Sequence, residues 1–575
     1  MKKSEQSELV KENVRVQSPL AVGWLLAGLA GSAALLAAVA SIDQALPAPL
    51  GRDAPPTRFQ ALVAHEHLVN LTSIGPRVAG SYENEVLAVG MLVAAIKHIA
   101  AHASPHNHVE LDVHTASGAF ELSFMDGMNN VYRGVQSVAA RVRGAGGRAR
   151  GRSALLLNCH FDTVPDSPGA SDDGAGCAVL LDTLRALAAG APLRHDAVFL
   201  FNGAEENILQ ASHAFITQHK WARDVRAFIN IEACGAGGRE VLFQAGPHDP
   251  WLIEMYAGAV PHPFASSLAQ EMFESGLIPA DTDFRIFRDF GKLSGVDLAW
   301  SSNGYVYHTR LDTPERVPPA ALQRTGDNVL ALAHGLLSGE SLESEPDEAR
   351  QPVFFDVLGL YVVAVRAPAA LLLAAATLAL VLLKVHVSAT SARDALFVAR
   401  AAWWRAVARA ALAGAGALAC GVLAAALPAL LLHALGARLA FYSCTLLLAP
   451  LYALPALAGT WAAAARLWGA PALLRGWRGA RAWHDAAALG WAALLLLCAL
   501  RGLRSGFLPA LWAAGGAGAD LLAGALRLRD GRRAALWAAG AALPAAQTCY
   551  LALGSLNMFV PLMGRAGASA LPPDI

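Results

Sequence analysis

Charged residues are scarce in this chain, and the shortage is unevenly distributed. Only 16% of the residues are Asp, Glu, Lys or Arg, whereas soluble domains contain roughly 25%. Residues 44–350 have an ordinary density of charge, but Ala and Leu dominate beyond residue 357. The formal net charge is 0 and no basic stripe crosses the first part, which argues against a nucleic-acid-binding protein. The composition predicts a globular domain joined to a membrane domain that contacts lipid.

Cysteines at metal-binding spacing are also absent. The seven cysteines include no Cys-X-X-Cys motif, so the sequence indicates neither a thiolate zinc site nor a thioredoxin-like redox site. The cysteines beyond residue 400 lie in apolar segments, where we expect them to be small buried hydrophobic residues. The others, Cys159, Cys177 and Cys234, lie in the globular part.

Long uncharged runs predict the membrane segments. Residues 19–41 carry no charge over a length sufficient to cross a hydrocarbon core of ~30 Å. We interpret them as an uncleaved transmembrane anchor, since their apolar part is longer than that of a typical signal peptide. The Ala-Leu-Pro sequence at residues 45–47 leaves a cleaved signal peptide open as the alternative. Residues 357–563 are predicted to form a polytopic domain of about six helices. Its candidate spans are 357–383, 406–433, 440–464, 485–500, 507–526 and 534–561. Asp520 and His433 stand isolated within these spans, which favours an anchor, or a bundle that binds membrane-protein partners, over a transporter.

The distribution of Lys and Arg predicts the orientation of these spans. Basic residues concentrate before the anchor and in the connections 384–405, 465–484 and 527–533. By the positive-inside rule these parts face the cytosol. Residues 1–18 are then a cytosolic tail, and the globular domain over 44–345 lies on the opposite side of the membrane.

Two further features belong to that opposite side. Asn70 begins an N-glycosylation sequon, Asn-Leu-Thr, on the side that glycosylation requires. Residues 564–575 are predicted to be a short lumenal tail that is truncated.

Residues 44–345 have the pattern of an α/β domain. Short apolar runs begin at residues 154, 197 and 227, and each ends in turn residues. The intervening segments 176–190 and 211–222 have apolar residues at helical spacing. Near-continuous apolar strands that alternate with helices predict a mostly parallel sheet flanked by helices on both faces.

Each of these predicted strands ends in side chains that can bind a metal. His160 and Asp162 follow the first strand, Glu205 and Glu206 the second, and Glu232 the third. The carboxyl ends of parallel strands share one edge of a sheet, so these groups are predicted to meet there. Clustered carboxylates in a crevice repel one another unless a cation neutralises them.

Histidine and carboxylate ligands without thiolates suit catalytic Zn²⁺. His308, in the segment NGYVYHTRLDT, offers a further imidazole. These ligands are more numerous than one open zinc site requires. They fit two zinc ions that share a bridging carboxylate.

Five stretches of the chain resemble the co-catalytic zinc exopeptidases, a family that includes bacterial leucyl aminopeptidases and glutamate carboxypeptidase. They read CHFDTVPDSPGASDD, FLFNGAEENILQASHAFITQH, AFINIEACG, ADTDFRIFRDFG and NGYVYHTRLDT. The order of tail, single span, peptidase domain and several further spans is similar to that of the family's members in the endoplasmic reticulum membrane. The resemblance implies a zinc-dependent, aminopeptidase-like exopeptidase with a lumenal catalytic domain and peptide or protein substrates.

The resemblance also implies a role for each matching residue. The ligands of two zinc ions are His160, Asp172, Glu206, Glu232 and His308, with Asp172 bridging the ions. Glu205 corresponds to the general base, and Asp162 holds the imidazole of His160. Asp173 is interpreted as a turn or cap residue. A disulfide between Cys159 and Cys177 is similar to one in related glutaminyl cyclases, and an oxidising lumen permits it.

Two other functions are left open by the sequence. One is acyl transfer of the glutaminyl-cyclase type on the same scaffold, against which a complete two-metal ligand set argues. The other is a non-catalytic scaffold for membrane-protein assembly.

Overall fold

The computed structural model describes residues 22–123, 127–145, 153–276, 278, 280–396, 399–442, 444–468, 477–528 and 530–564. The chain forms two compact units. The globular unit comprises Ser41–Ala370 with Leu553–Pro561, and the helical unit comprises the remaining residues. Residues 1–18 and 565–575 of the predicted tails 1–18 and 564–575 lie outside the described residues.

The first described helix is α1, Val22–Gln44, which covers most of the predicted anchor. The globular unit then continues with short helices and strands in a largely alternating order. They are α2 (Ala61–Thr72), α3 (Val89–Ala101), β1 (Val109–Leu122), β2 (Met128–Val142), β3 (Ala154–His160), α4 (Ala175–Ala189), β4 (Ala197–Asn202), α5 (Gln210–Gln218), β5 (Val225–Ala233), β6 (Val241–Gly246), α6 (Trp251–Ala259), α7 (Ser267–Glu274), α8 (Asp283–Asp289), β7 (Ser294–Trp300), α9 (Pro319–Ser338), β8 (Val353–Val357) and β9 (Tyr361–Val365).

Seven strands form one sheet in the order β1-β2-β4-β3-β5-β7-β6. Its centre, β4-β3-β5-β7, is parallel, as the sequence predicts. The outer strands β1, β2 and β6 pair antiparallel, so the sheet as a whole is mixed. Every residue of the four central strands is buried, which explains their near-continuous apolar sequences.

Helices cover both faces of the parallel centre. Leu155 and Leu157 of β3 face the larger hydrophobic core, which α2, α4 and α9 complete. Leu156 points to the other face and packs in a second core with Phe215 of α5 and Phe284 of α8. Successive residues of a strand face opposite sides, so β3 is anchored in both layers. This double anchoring fixes the position of His160 at its end.

The boundary between the two units differs from the prediction. Residues 357–365 were predicted to begin the first later span, and the globular domain to end at residue 345. Instead Tyr361–Val365 pairs antiparallel with Val353–Val357, and the globular unit continues to Ala370. The β-branched residues of this segment favour a strand, and a hydrophobic strand resembles the start of an apolar helix in sequence.

Six further helices follow the hairpin in the described part of the chain. They are α10 (Ala367–Leu396), α11 (Arg400–Ala434), α12 (Leu454–Leu467), α13 (Trp477–Arg501), α14 (Phe507–Ala525) and α15 (Asp530–Met563). Each predicted later span therefore overlaps a helix, although α10 begins 10 residues and α12 begins 14 residues later than predicted.

Seven helical segments of the described chain are long and apolar enough to cross a membrane. They are Leu26–Gln44, Glu83–Ala101, Ala367–Arg393, Arg400–Ala434, Thr445–Leu467, Gly479–Arg501 and Gly531–Pro561. Glu83–Ala101 belongs to the globular unit, where α3 packs on α4. The α14 helix is not among the seven, since its glycines and Asp520 reduce its hydropathy.

Candidate metal centre

The end of β3 places His160 at the centre of the site. Strand β3 lies between β4 and β5, so the segments that follow β4 and the end of β5 flank this histidine. His160 Nε2 lies 3.2 Å from Asp172 Oδ1 and 3.6 Å from Glu232 Oε2. His160, Asp172 and Glu232 thus form a buried group that could hold one metal ion.

A second group of ligands lies beside the first and shares Asp172. The other carboxylate oxygen, Asp172 Oδ2, lies 2.9 Å from His308 Nε2, and Glu206 Oε1 lies 3.3 Å from the same nitrogen. Within each group the ligand atoms lie within 4.8 Å of one another. All five residues predicted as ligands therefore come together, and Asp172 occupies the shared position.

Asp312 holds the loop that carries Asp172, and the sequence analysis did not identify it. Its carboxylate accepts hydrogen bonds from Ser171 N at 2.9 Å, Ser171 Oγ at 2.7 Å and Asp172 N at 3.3 Å. Its carbonyl accepts a further bond from Ala170 N at 3.1 Å. Asp312 lies four residues after His308, so one segment supplies both a ligand and the support of another ligand.

Arg77 is a second supporting residue that sequence reasoning missed. Its side chain is fully buried and donates to Phe161 O at 2.7 Å, Pro168 O at 2.7 Å and Gly169 O at 3.1 Å. Burial lowers the pKa of its guanidinium to about 10. Arg77 therefore fixes the loop between β3 and Asp172 through backbone carbonyls.

Asp162 connects the histidine to the glutamate pair. Its carboxylate accepts from the backbone amides of Glu205 and Glu206, each at 3.0 Å. His160 Nδ1 lies 3.1 Å from Asp162 O and 3.5 Å from Asp162 Oδ1. With Nδ1 facing Asp162, His160 Nε2 faces the carboxylates.

Asp173 caps the start of α4, which agrees with its interpretation as a turn or cap residue. Its carboxylate accepts from Gly176 N at 3.0 Å and from His160 N at 3.3 Å. A Cβ atom on Gly176 would lie 2.3 Å from Asp173 Oδ2. Glycine is therefore required at residue 176 because the cap approaches the backbone closely.

Burial and mutual repulsion govern the ionisation of the carboxylates. Burial, together with the negative charge of Asp172, raises the pKa of Glu206 and of Glu232 to about 7. Burial, followed by the charge of Glu232, raises the pKa of Glu205 well above its usual range. The site favours protons on these groups because it concentrates negative charge away from water.

The imidazoles oppose this accumulation of charge. Burial disfavours a charge on His308, but the adjacent carboxylates of Asp172 and Glu206 prevail and raise its pKa to about 10. Burial acts to raise the pKa of Asp172, but His160 and His308 outweigh it and hold this pKa well below its usual range. Positive charge is thus attracted to the position between the two groups of metal ligands.

Cys159 and Cys177 are buried neighbours. Their Sγ atoms lie 3.1 Å apart, which is a contact between two thiols, since a disulfide requires about 2.05 Å. Both are free cysteines here, so the structure brings the predicted pair together without the covalent bond.

The central part of the globular unit matches the profile of a known protein family. The profile described as Peptidase family M28 matches residues 138–333, which include both ligand groups. The chain contains a peptidase family M28 domain. The match begins in β2 and ends in α9, so the M28 domain spans the parallel centre of the sheet and the helices that cover it.

Named relatives share this part of the chain. "Endoplasmic reticulum metallopeptidase 1" of Mus musculus is 49% identical over 308 residues, which are 53% of this chain and 34% of the relative. "Putative endoplasmic reticulum metallopeptidase 1-A" of Caenorhabditis elegans is 49% identical over 303 residues, 52% of this chain and 33% of the relative. The chain thus spans about a third of the length of the curated relatives it matches.

Among solved structures, the aminopeptidase from Aneurinibacillus sp. strain AM-1 is 15% identical to this chain. It has a TM-score of 0.39 and covers 52% of this chain and 99% of its own.

A buried row of amides lies behind the metal ligands of the M28 domain. Asn158 Nδ2 donates to Asn230 Oδ1 at 2.7 Å and to Asp283 Oδ2 at 2.8 Å. Asn202 Nδ2 donates to the same oxygen of Asp283 at 2.7 Å, and Asn230 Nδ2 lies 3.4 Å from Glu232 Oε1. This row ties the ends of β3, β4 and β5 together. The signal for it in the sequence was an Asn in each of three apolar strands.

Proposed function

We propose that this protein is a membrane-bound, zinc-dependent metallopeptidase with two co-catalytic zinc ions and aminopeptidase-like exopeptidase activity. The observation that carries the proposal is the position of Asp172, whose two carboxylate oxygens face the imidazoles of two complete ligand groups. A shared carboxylate between two ions is the arrangement that a two-metal hydrolase needs. The family M28 match and the metallopeptidase names of the relatives agree with it.

The residues of the site fit zinc. The donor set is imidazole and carboxylate, which zinc prefers in catalytic sites. Glu206 Oε1 is buried and makes no hydrogen bond, so a ligand atom is available at the second position. One ion would be held by His160, Asp172 and Glu232, and the other by Asp172, Glu206 and His308. These positive ions would offset the repulsion between the carboxylates.

Bound zinc would acidify a water molecule and polarise the peptide carbonyl. Glu205 is assigned the proton transfers, since it lies beside both groups but belongs to neither. In its ionised form it takes a proton from the attacking water, and it then returns the proton to the departing amine. Asp162 holds the backbone of Glu205 and so fixes the position of this base.

The remaining assignments follow from the same proposal. The relatives are named for the endoplasmic reticulum, and we place the M28 domain in its lumen, with the amino terminus in the cytosol and peptides or proteins as substrates. We also propose that the helical unit binds membrane-protein partners. An oxidising lumen would convert the adjacent thiols of Cys159 and Cys177 to a disulfide.

The zinc content of the purified full chain tests the proposal. Two zinc ions per chain are expected, falling to one or fewer in Glu206→Ala. Glu205→Gln should retain both ions but lose peptide hydrolysis by at least about a hundredfold, because only the proton transfer is removed.

Other outcomes would contradict the assignment. One zinc in the unaltered protein, together with release of ammonia from amino-terminal glutamine, would indicate a cyclase. A folded protein that binds no zinc would indicate a scaffold.

A further inference from the structure

The helical unit contains a buried cluster of charged side chains. Lys384 of α10 pairs with Asp485 of α13, and Lys384 Nζ lies 3.8 Å from Asp520 Oδ2 of α14. The side chains of Lys384 and Asp485 are 0% exposed, and that of Asp520 is 4% exposed. The sequence analysis described Asp520 as isolated, and this was wrong. The sequence places the basic residues near Asp520 in the predicted cytosolic connections, so it does not show that they lie close to Asp520. These residues are Lys384, Arg481 and Arg533.

Two indole N–H groups donate hydrogen bonds to these carboxylates. Trp403 Nε1 of α11 donates to Asp485 Oδ2 at 3.1 Å, and Trp537 Nε1 of α15 donates to Asp520 Oδ1 at 3.0 Å. Arg533, also of α15, pairs with Asp520. Both acids are therefore fully engaged by the cluster itself.

Arg481 leaves the cluster with a surplus of positive charge. It lies one turn before Asp485 and within electrostatic range of Arg533, Asp520 and Asp485, so among the described side chains three cations (Lys384, Arg481 and Arg533) face two carboxylates. Among the described residues, no side chain forms an ion pair with Arg481. Its Nε atom is buried and has no hydrogen-bond partner.

Two further nitrogens beside Trp537 are equally unsatisfied. Arg533 Nε and His484 Nδ1 are buried without a partner in the described part of the chain. The ring of His484 stacks on Trp537 with centroids 4.6 Å apart, and the Arg533 guanidinium lies 5.5 Å from the centroid of the Trp537 ring. The orphaned groups thus surround one indole.

The described side chains of the cluster carry one more positive than negative charge, and an anion would offset this surplus. A phosphate matches the planar fork of Arg, which can donate two parallel hydrogen bonds to it. Arg481 lies in the second turn of α13 and Arg533 in the first turn of α15. If these helices cross a membrane, both positions lie at the depth of the lipid headgroups, where basic pockets between spans bind anionic lipids.

We propose that Arg481 and Arg533, with His484 and Trp537 beside them, bind the phosphate group of an anionic membrane lipid. The ligand neutralises the surplus charge of the cluster. Because the predicted cytosolic connections lie at this end of the helices, the lipid belongs to the cytosolic leaflet.

The test uses the full chain in detergent, titrated with phosphatidylserine or phosphatidylinositol, with phosphatidylcholine as the neutral lipid. Binding is followed by native mass spectrometry and by the shift in Tm. One anionic lipid per chain is expected to bind and raise the Tm, and phosphatidylcholine is not. Arg481→Gln should weaken binding at least about tenfold, the usual cost of losing one charged hydrogen-bonding group.

Arg405→Gln is the matched control, because Arg405 is an exposed arginine near the same end of α11 and should leave binding unchanged. If Arg481→Gln does not fold, Arg481→Lys keeps the charge and removes the fork, and should weaken binding by a smaller factor. Equal losses in Arg405→Gln and Arg481→Gln would indicate a diffuse basic surface and overturn the proposal. Inorganic phosphate that binds as tightly as the lipid would overturn the assignment to a headgroup.

Discussion

At the scale of single residues, the site depends on how Asp172 is held. Its two oxygens face His160 at 3.2 Å and His308 at 2.9 Å, and a small rotation of the carboxylate would break one of these contacts. The loop that carries it is fixed by Asp312 through Ser171 and through the amide of Asp172 itself. Supports of this kind are often as important to metal affinity as the ligands they orient.

Replacing Asp312 by Asn tests this support. An Asn side chain has one acceptor oxygen, so it cannot serve both Ser171 and the amide of Asp172. We expect zinc affinity to fall about 10- to 100-fold, measured by competition with a chelator. Asp166→Asn is the control, since Asp166 is an exposed residue of the preceding loop. Unchanged affinity in Asp312→Asn would remove Asp312 from the site.

The pKa values predict how zinc binding depends on pH. In the metal-free site, Glu206 and Glu232 have a pKa of about 7, and His308 has a pKa of about 10. Zinc binds the deprotonated forms, so binding must release protons. Zinc affinity is therefore expected to rise from pH 6 to pH 8, with proton release detectable by calorimetry in buffers of different ionisation enthalpy. A flat profile would contradict these values.

The same values predict the stability of the chelator-treated protein. The folded-state pKa of Glu206, Glu232 and His308 lies above the unfolded value, so the folded site binds more protons than the unfolded chain. Stability then falls as the pH rises from about 5 to about 8. The Tm of the metal-free protein should decrease over this window, and saturating zinc should reverse the trend. A metal-free Tm that rises with pH would contradict the sign.

At the scale of secondary structure, the junction between the loop after β3 and helix α4 contains both the cap of the helix and residues of the metal site. Asp173 binds the amide of Gly176 at the start of the helix and the amide of His160 at the end of the strand. The helix is thereby aligned with the strand that carries the first ligand. Each of the two elements stabilises the position of the other.

Gly176→Ala tests this junction. The added Cβ would lie 2.3 Å from the carboxylate of Asp173, so the cap must move. We expect a loss of about 1–3 kcal/mol in the free energy of unfolding, together with weaker zinc binding, measured by denaturation and metal titration. Gly90→Ala in α3 is the control, because a Cβ there has no neighbour within 4 Å. It should be neutral or stabilising by up to about 1 kcal/mol.

At the scale of the whole molecule, the orientation in the membrane remains a prediction, and Asn70 reports on it. Its side chain is exposed on α2, while Thr72 of the same sequon bonds to Leu68 O at 2.8 Å. If the globular unit faces the lumen, Asn70 can receive a glycan before the helix packs.

Treatment with an endoglycosidase should therefore increase the electrophoretic mobility of the protein expressed in a eukaryotic cell. Asn70→Gln should abolish this change, because Asn70-Leu71-Thr72 is the one sequon in the sequence. An accessible, unglycosylated Asn70 together with protease sensitivity of the globular unit from the cytosolic side would reverse the orientation.

Several features of the site could be predicted because they depend on local sequence. His160, Glu206 and Glu232 lie at the ends of apolar runs, and parallel strands bring such ends to one edge. The role of Asp172 rather than Asp173 came from the family resemblance. The two side chains separate in space because Asp173 turns to cap α4, while Asp172 faces the imidazoles.

Other features could not be predicted, because their partners are far apart in the chain. Asp312 supports a residue 140 positions away, and Arg77 binds carbonyls more than 80 positions away. The charges of the helical unit pair across α10, α13, α14 and α15, and a linear reading places them in loops.

The sequence alone determined the division into a globular and a membrane part, the parallel centre of the sheet and the residue types that meet at its edge, because composition and periodicity act over short segments. The tertiary structure decided which oxygen of Asp172 faces which imidazole, which residues hold the loops, and how Lys384, Asp485 and Asp520 find one another. These depend on the packing of distant elements, where a shift of about 1 Å makes or breaks a hydrogen bond.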